Sequence, residues 1–119
     1  MKLLFVDDDL NVISIFKKWA SIKGFDAKFA YNGLEVLELT EKEKFDIILM
    51  DIDMPILDGI TTAEKLQKLA PQTKVLILTG LHPEHHQKLP QNIVDILLKP
   101  ISLSELSKKL FLVINTQNI

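Results

Sequence analysis

Acidic residues close two of the apolar runs in this sequence, and a hydroxyl and an ammonium close two others. Asp7-Asp8-Asp9 follow Phe5-Val6, Asp51 follows Met50 with Asp53 two residues on, Thr79 follows Leu78, and Lys99-Pro100 follow Leu98. Taken singly, each has an ordinary use. An acidic triple ahead of a helix caps it and suits its dipole. Asp51 could form a turn, as Asp58-Gly59 is expected to do. Thr-Gly starts many loops, and a lysine before proline is usually solvated. Gathered at one place, the same residues do more. Carboxylates of Asp7, Asp8 and Asp51 at separations of ~4–6 Å raise one another's affinity for protons, a cost that a divalent cation removes. Clustered oxygen ligands without histidine or cysteine suit Mg²⁺. Carboxylates, a hard cation, a lysine and a hydroxyl can together hold a phosphoryl group, whose transfer is mostly positioning and charge neutralisation.

Whether they are gathered depends on the elements that carry them. Five apolar runs, at 3–6, 25–30, 45–50, 74–78 and 94–98, alternate with segments of helical spacing. The first, third and fourth are nearly continuous in Leu, Ile, Val, Met and Phe, as expected for strands covered on both faces. The second alternates Phe25, Ala27 and Phe29 with Asp26 and Lys28, the pattern of a half-exposed edge. Helical stripes are expected at Val12, Ile15, Phe16, Trp19 and Ile22, at Leu34 and Leu37, at Ile60, Ala63 and Leu66, and at Leu103, Leu106, Leu110 and Val113. Gly24 is a C-terminal stop for the first, Asn32-Gly33 open the second, and Ser102 with Glu105 is a capping-box start for the last. The fourth inter-strand stretch, 80–90, has room for two helical turns at most between Pro83 and Pro90. Alternating β and α units imply an α/β fold: a flavodoxin-like, doubly wound, five-stranded parallel sheet of strand order 2-1-3-4-5 with helices on both faces. In such a sheet ligands bind beyond the carboxyl ends of the strands, where the singled-out residues lie.

Composition narrows the class. The 119 residues carry 47% hydrophobic and 25% charged side chains, ordinary globular usage that excludes a disordered or collagen-like chain. One domain over residues 1–119 is expected. The lack of cysteine excludes a disulfide framework, a zinc knuckle and a thiol nucleophile. The fourteen basic residues are all lysine and face sixteen acidic ones, a net charge of −2. Direct nucleic-acid binding is therefore not expected, since such readers have a basic excess and arginine forks. No apolar run approaches bilayer length, and Met1-Lys2 lead into a strand without a cleavable signal pattern, so a cytoplasmic location with no membrane partner is expected.

The ordered set Phe5-Val6-Asp7-Asp8-Asp9, Asn32-Gly33-Leu34-Glu35, the stretch from Asp46 to Gly59, Leu78-Thr79-Gly80 and Lys99-Pro100 resembles a response-regulator receiver domain, the CheY-like phosphoacceptor module of two-component signalling. The resemblance spans nearly the whole chain. It implies that Asp51 is the phosphorylated aspartate, taking its phosphoryl group from a sensor histidine kinase or a histidine phosphotransfer protein. It implies that Asp7, Asp8 and Asp51, with the backbone carbonyl of Asp53, hold Mg²⁺, and that Thr79 and Lys99 contact the phosphoryl oxygens. It also implies a cis Lys99-Pro100 bond, and a conformational response at the face of the fourth strand, fourth helix and fifth strand. An effector domain or a second copy is a further expected partner; no turnover substrate is expected.

Three positions depart from that pattern. Ile96 stands where many receivers have an aromatic switch residue, Asn92 replaces a glycine common before the fifth strand, and the fourth helical segment is short. Asn92 still tolerates a left-handed turn. Asp9 and Asp53 place extra negative charge near the site, and a solvated loop is the plainer account of both. His82, His85 and His86 have helical spacing, but only Glu84 offers a nearby carboxylate, so solvated histidines are favoured over zinc. Phe111, Leu112 and Ile114 widen the apolar coverage of the last helix. Two other functions compete with the phosphoacceptor. A pseudo-receiver would keep the fold as an interaction module, against which all five matched site positions are filled. Asp51-Ile52-Asp53 as the DxD of a haloacid-dehalogenase-like phosphohydrolase would require a much larger chain and the motif after the first strand.

Overall fold

Strands form where apolar residues run without interruption, and the helices between them cover both sides of the resulting sheet. The computed structural model describes residues 1–80 and 89–116. The strands are β1 (Lys2–Val6), β2 (Asp26–Ala30), β3 (Ile47–Asp51), β4 (Lys74–Thr79) and β5 (Ile93–Leu98). All pairings are parallel, in the order β2-β1-β3-β4-β5. The helices among the described residues are α1 (Leu10–Lys23), α2 (Gly33–Lys42), α3 (Gly59–Leu69) and α4 (Leu103–Thr116). No described helix is long and apolar enough to cross a membrane.

Alternate residues of the central strands feed two cores. Leu3, Phe5, Leu49, Leu76 and Leu78 pack with Phe16 and Trp19 of α1 and Leu106 and Leu110 of α4. Leu4, Val6, Ile48, Met50 and Ile77 pack with Val36 of α2 and Ala63 and Leu66 of α3. Full burial of one such large side chain is worth ~1.5–3 kcal/mol, so both faces of β1, β3 and β4 are committed. On the first face the Phe5 ring stacks against Phe16 at 4.9 Å and Phe29 at 5.7 Å between centroids. β2 is the edge its alternation predicts: Asp26 and Lys28 are exposed, Ala27 and Phe29 half-buried.

Helix faces are less well anticipated. α1 buries Ile13, Phe16, Trp19 and Ala20, while Ile15 and Ile22 are exposed. In α2 the buried side chains are Val36 and Thr40; Leu34 is exposed and Leu37 only packs at the margin. α3 and α4 follow their predicted stripes except at Leu103, which is exposed. The terminal signals hold: Gly24 ends α1 with φ 73°, Asn32 Oδ1 accepts from the Glu35 N–H at 2.9 Å, and Ser102 Oγ accepts from the Glu105 N–H at 3.1 Å. Phe111 and Leu112 are exposed, whereas Ile114 packs against the core.

Before β5 the chain departs from expectation. Among the described residues Ile56 is the only non-glycine with positive φ, so Asn92 makes no left-handed turn. Its side chain instead ties the turn to α3, with Nδ2 donating to the Ala63 carbonyl at 2.8 Å. The register shifts between Val75 and Leu76, which pair with Ile93 and Asp95. The extra residue, Val94, turns both Ile93 and Ile96 toward the α2/α3 core. The short helix expected between Pro83 and Pro90, and the three histidines, fall in 81–88, outside the described residues.

Candidate functional site

Because all strands run the same way, their carboxyl ends share one rim. Asp7 directly follows β1, and its N–H donates to the Ala30 carbonyl of neighbouring β2 at 3.2 Å. Asp51 is the last residue of β3 and pairs with Leu78, one residue before Thr79 at the end of β4. Lys99 follows β5, and its N–H donates to the Thr79 carbonyl at 2.7 Å, which ties the lysine to the β4 terminus. The Lys99–Pro100 bond is cis, as expected.

The side chains converge. Lys99 Nζ lies 3.2 Å from Asp51 Oδ2 and 3.5 Å from Asp7 Oδ2. Carboxylate oxygens of Asp7, Asp8 and Asp51 all lie within 4.8 Å of one another. Asp7 and Asp51 are buried, at 2% and 9% exposure, and Asp8 faces solvent. Thr79 is completely buried. Two local hydrogen bonds aim the acids: the Asp9 N–H donates to Asp7 Oδ1 at 2.9 Å, and the Asp53 N–H donates to Asp51 Oδ1 at 3.2 Å. The other two acids stand apart. Asp9 Oδ1 accepts from the Asn11 N–H at 2.8 Å and caps α1, so its charge serves the helix, and the Asp53 side chain is exposed.

Charge at this rim is in tension. Burial pushes the Asp7 carboxyl above its ordinary value, and Asp51 adds to the effect; the Asp9 N–H and the Lys99 ammonium only partly offset them. Burial also works against the Lys99 charge, but the attraction of Asp51 and Asp7 outweighs it and holds the ammonium above its usual range. One lysine therefore pairs with two members of a three-carboxylate cluster. Three all-oxygen donors this close, one of them buried at a cost, fit a hard divalent cation.

The sequence over residues 3–111 matches the response regulator receiver domain. The chain belongs to that family. Receivers are the signalling modules of two-component systems, in which aspartate phosphorylation and Mg²⁺ are typical. Among curated relatives, a response regulator MprA from Mycobacterium leprae is 32% identical over 89% of this chain and 47% of its own length. A transcriptional regulatory protein ZraR from Klebsiella oxytoca is 32% identical over 87% of this chain and 24% of its own length. The chain thus spans half or less of these relatives. Among solved structures, the receiver domain of Francisella response regulator 1452 superposes with a TM-score of 0.86 at 31% identity, covering 98% of each chain. Response regulator TrrA of Thermotoga maritima, solved with Mg²⁺ and BeF, shares the fold at a TM-score of 0.84 and 24% identity, over 94% of this chain and 97% of that one.

Two residues at this receiver's site read only as turn signals in the sequence. Asp58 caps α3, with Oδ1 accepting from the Thr61 N–H at 2.7 Å, and Gly59 is the first helical residue. A Cβ on Gly59 would lie 2.5 Å from the Asp51 carbonyl oxygen and 3.0 Å from the Ile52 Cα. Gly59 is there so that α3 can press on the backbone of Asp51. Gly33 plays a comparable part against Leu57. An Asp-Gly or Asn-Gly pair leading into an apolar helix is the signal that could have suggested close approach.

Proposed function

We propose that this chain is a phosphoacceptor switch in which Asp51 is the nucleophile. The observation that carries the reading is the Lys99 ammonium 3.2 Å from Asp51, beside the Asp7–Asp8–Asp51 carboxylate cluster. Asp7, Asp8 and Asp51, with the Asp53 carbonyl, would hold Mg²⁺. When bound, the ion neutralises phosphoryl oxygens and orients them for in-line attack. Asp7 and Lys99 set the charge around Asp51. An Asp51 carboxylate oxygen attacks the phosphorus of a phosphohistidine on a kinase or phosphotransfer protein. A P–O bond forms, the P–N bond breaks, and its electron pair leaves with the imidazole nitrogen, which takes up a proton. Lys99 then trades a carboxylate partner for a phosphoryl oxygen, and Thr79 offers its hydroxyl to another. The movement of these two residues, at the ends of β5 and β4, is the signal. The output does not use an aromatic rotamer change, because Ile96 is an aliphatic side chain packed toward α2 and α3. The switch turns over no external substrate, and it works in the cytoplasm with its kinase.

Incubation with Mg²⁺ and acetyl phosphate, followed by intact-mass measurement, tests this. The expected result is one phosphate-sized increment, lost in Asp51→Ala and on removal of Mg²⁺. No increment under saturating donor and metal would leave the interaction-module reading in its place.

A further inference from the structure

The loop after β3, residues 52–58, carries the Asp53 carbonyl and is confined between two helix N-termini. Gly59 of α3 presses on its beginning, at the Asp51 backbone. Gly33, the first residue of α2, presses on its end. Gly33 has no positive φ, so conformational freedom does not explain it. A Cβ there would lie 2.8 Å from the Leu57 carbonyl oxygen, 3.1 Å from the Leu57 Cβ and 2.0 Å from Thr62 Oγ1. The Thr62 hydroxyl is not free to swing away without loss, because it donates to the Asp58 carbonyl at 2.7 Å.

The loop confined here is strained. Ile56 has φ 72° although it is β-branched, and its side chain is exposed. Around it the Leu57 N–H donates to the Pro55 carbonyl at 2.7 Å, closing a three-residue turn. A β-branched residue stays in this region only where its surroundings over-determine it. Leu57, the next residue, is where α2 bears on the loop.

We propose that Gly33 is a positioning residue for the phosphoacceptor loop: by omitting a side chain it lets α2 seat on Leu57 and Thr62, which holds the strained turn at Ile56 and keeps the Asp53 carbonyl beside Asp51. The inference rests on the reading of this rim as the Mg²⁺ and phosphoryl site. Gly33 touches neither; it acts through Leu57.

Calorimetric Mg²⁺ titration of the 119-residue chain, with melting curves beside it, tests the idea on wild type, Gly33→Ala, Thr62→Ala and the double variant. Gly33→Ala should weaken Mg²⁺ binding about 10-fold and slow labelling by acetyl phosphate to a similar degree. Thr62→Ala removes the 2.0 Å conflict but leaves the one with the Leu57 carbonyl. The double variant should therefore melt higher than Gly33→Ala while its Mg²⁺ affinity stays low. Wild-type Mg²⁺ affinity in Gly33→Ala, or in the double variant, would overturn the proposal and leave Gly33 a packing residue; if Gly33→Ala does not fold, the double variant alone decides. A wild type that binds Mg²⁺ but takes no phosphoryl group would refute the phosphoacceptor reading and not the positioning role of Gly33; one that binds no Mg²⁺ would remove both.

Discussion

Three consecutive aspartates have three different environments, and their chemistry follows from them. Asp7 is buried beside Asp51 and Lys99, Asp8 points to solvent within the same cluster, and Asp9 caps α1. Since burial raises the Asp7 carboxyl above its ordinary value of 3.8, its ionisation at neutral pH costs the metal-free fold stability. Asp7→Asn keeps the shape and removes the charge. It should raise the metal-free melting temperature, by on the order of 1 kcal/mol in stability, and abolish the stabilisation that Mg²⁺ confers. Thermal melts with and without Mg²⁺ measure both; a lower metal-free melting temperature would count against this view of the site. The identity of the cluster was legible in the sequence because the acids follow apolar strands. That a member of the triple caps the helix was legible too, but not that it is Asp9, because a helix cap and a metal ligand are the same residue type until the backbone places them.

At the scale of elements, contact between a helix start and a strand end organises the site. Gly59→Ala would drive a methyl group into the Asp51 carbonyl and the Ile52 Cα, both backbone and neither able to turn aside. It should cost about 1–3 kcal/mol of stability, read by denaturant unfolding, and slow labelling of Asp51 as well. At the opposite end of the sheet Glu43, just past α2, pairs with Lys2 of β1 and Lys28 of β2. Hydrogen bonds from Lys2 and Lys28 hold its carboxyl below its ordinary value of 4.5. A depressed carboxyl stabilises the fold above that value, and the contribution is lost as acid protonates it. Glu43→Gln should therefore melt lower than wild type at neutral pH, with the gap closing in acid below 4.5 and in high salt. A gap that does not change with pH would assign the loss to packing. The strands were readable because β1, β3 and β4 bury both faces and so carry unbroken apolar runs. The α1 stripe was misplaced because Val12, Ile13, Ile15, Phe16, Trp19, Ala20 and Ile22 span a wide arc of the helix, and only the sheet decides which side is covered. The irregular β4–β5 register left no local sign, since Val94 is an aliphatic residue like Ile93, Ile96 and Leu97 of the same strand.

For the whole molecule, parallel strand order turns residues far apart in sequence into one rim, and the surface beside that rim decides who reaches it. An apolar groove of about 520 Å³ between α1 and α4, lined by Val12, Ile15, Phe16, Pro100 and Ile101 among others, opens next to Lys99. If a phosphohistidine protein delivers its group to Asp51 across this groove, the half-exposed Ile15 lies in the contact. Ile15→Asp should slow transfer from such a protein about 10-fold relative to transfer from acetyl phosphate, measured as a ratio of labelling rates. An unchanged ratio would place the donor elsewhere. Phosphorylation of Asp51 is tested by finding which residue carries the label. After treatment with acetyl phosphate and Mg²⁺, borohydride reduction converts an aspartyl phosphate to homoserine, which peptide mass spectrometry assigns to a residue. Homoserine at position 51 is expected; homoserine at position 7, 8 or 53, or unmodified peptides throughout, would mean that Asp51 is not the acceptor.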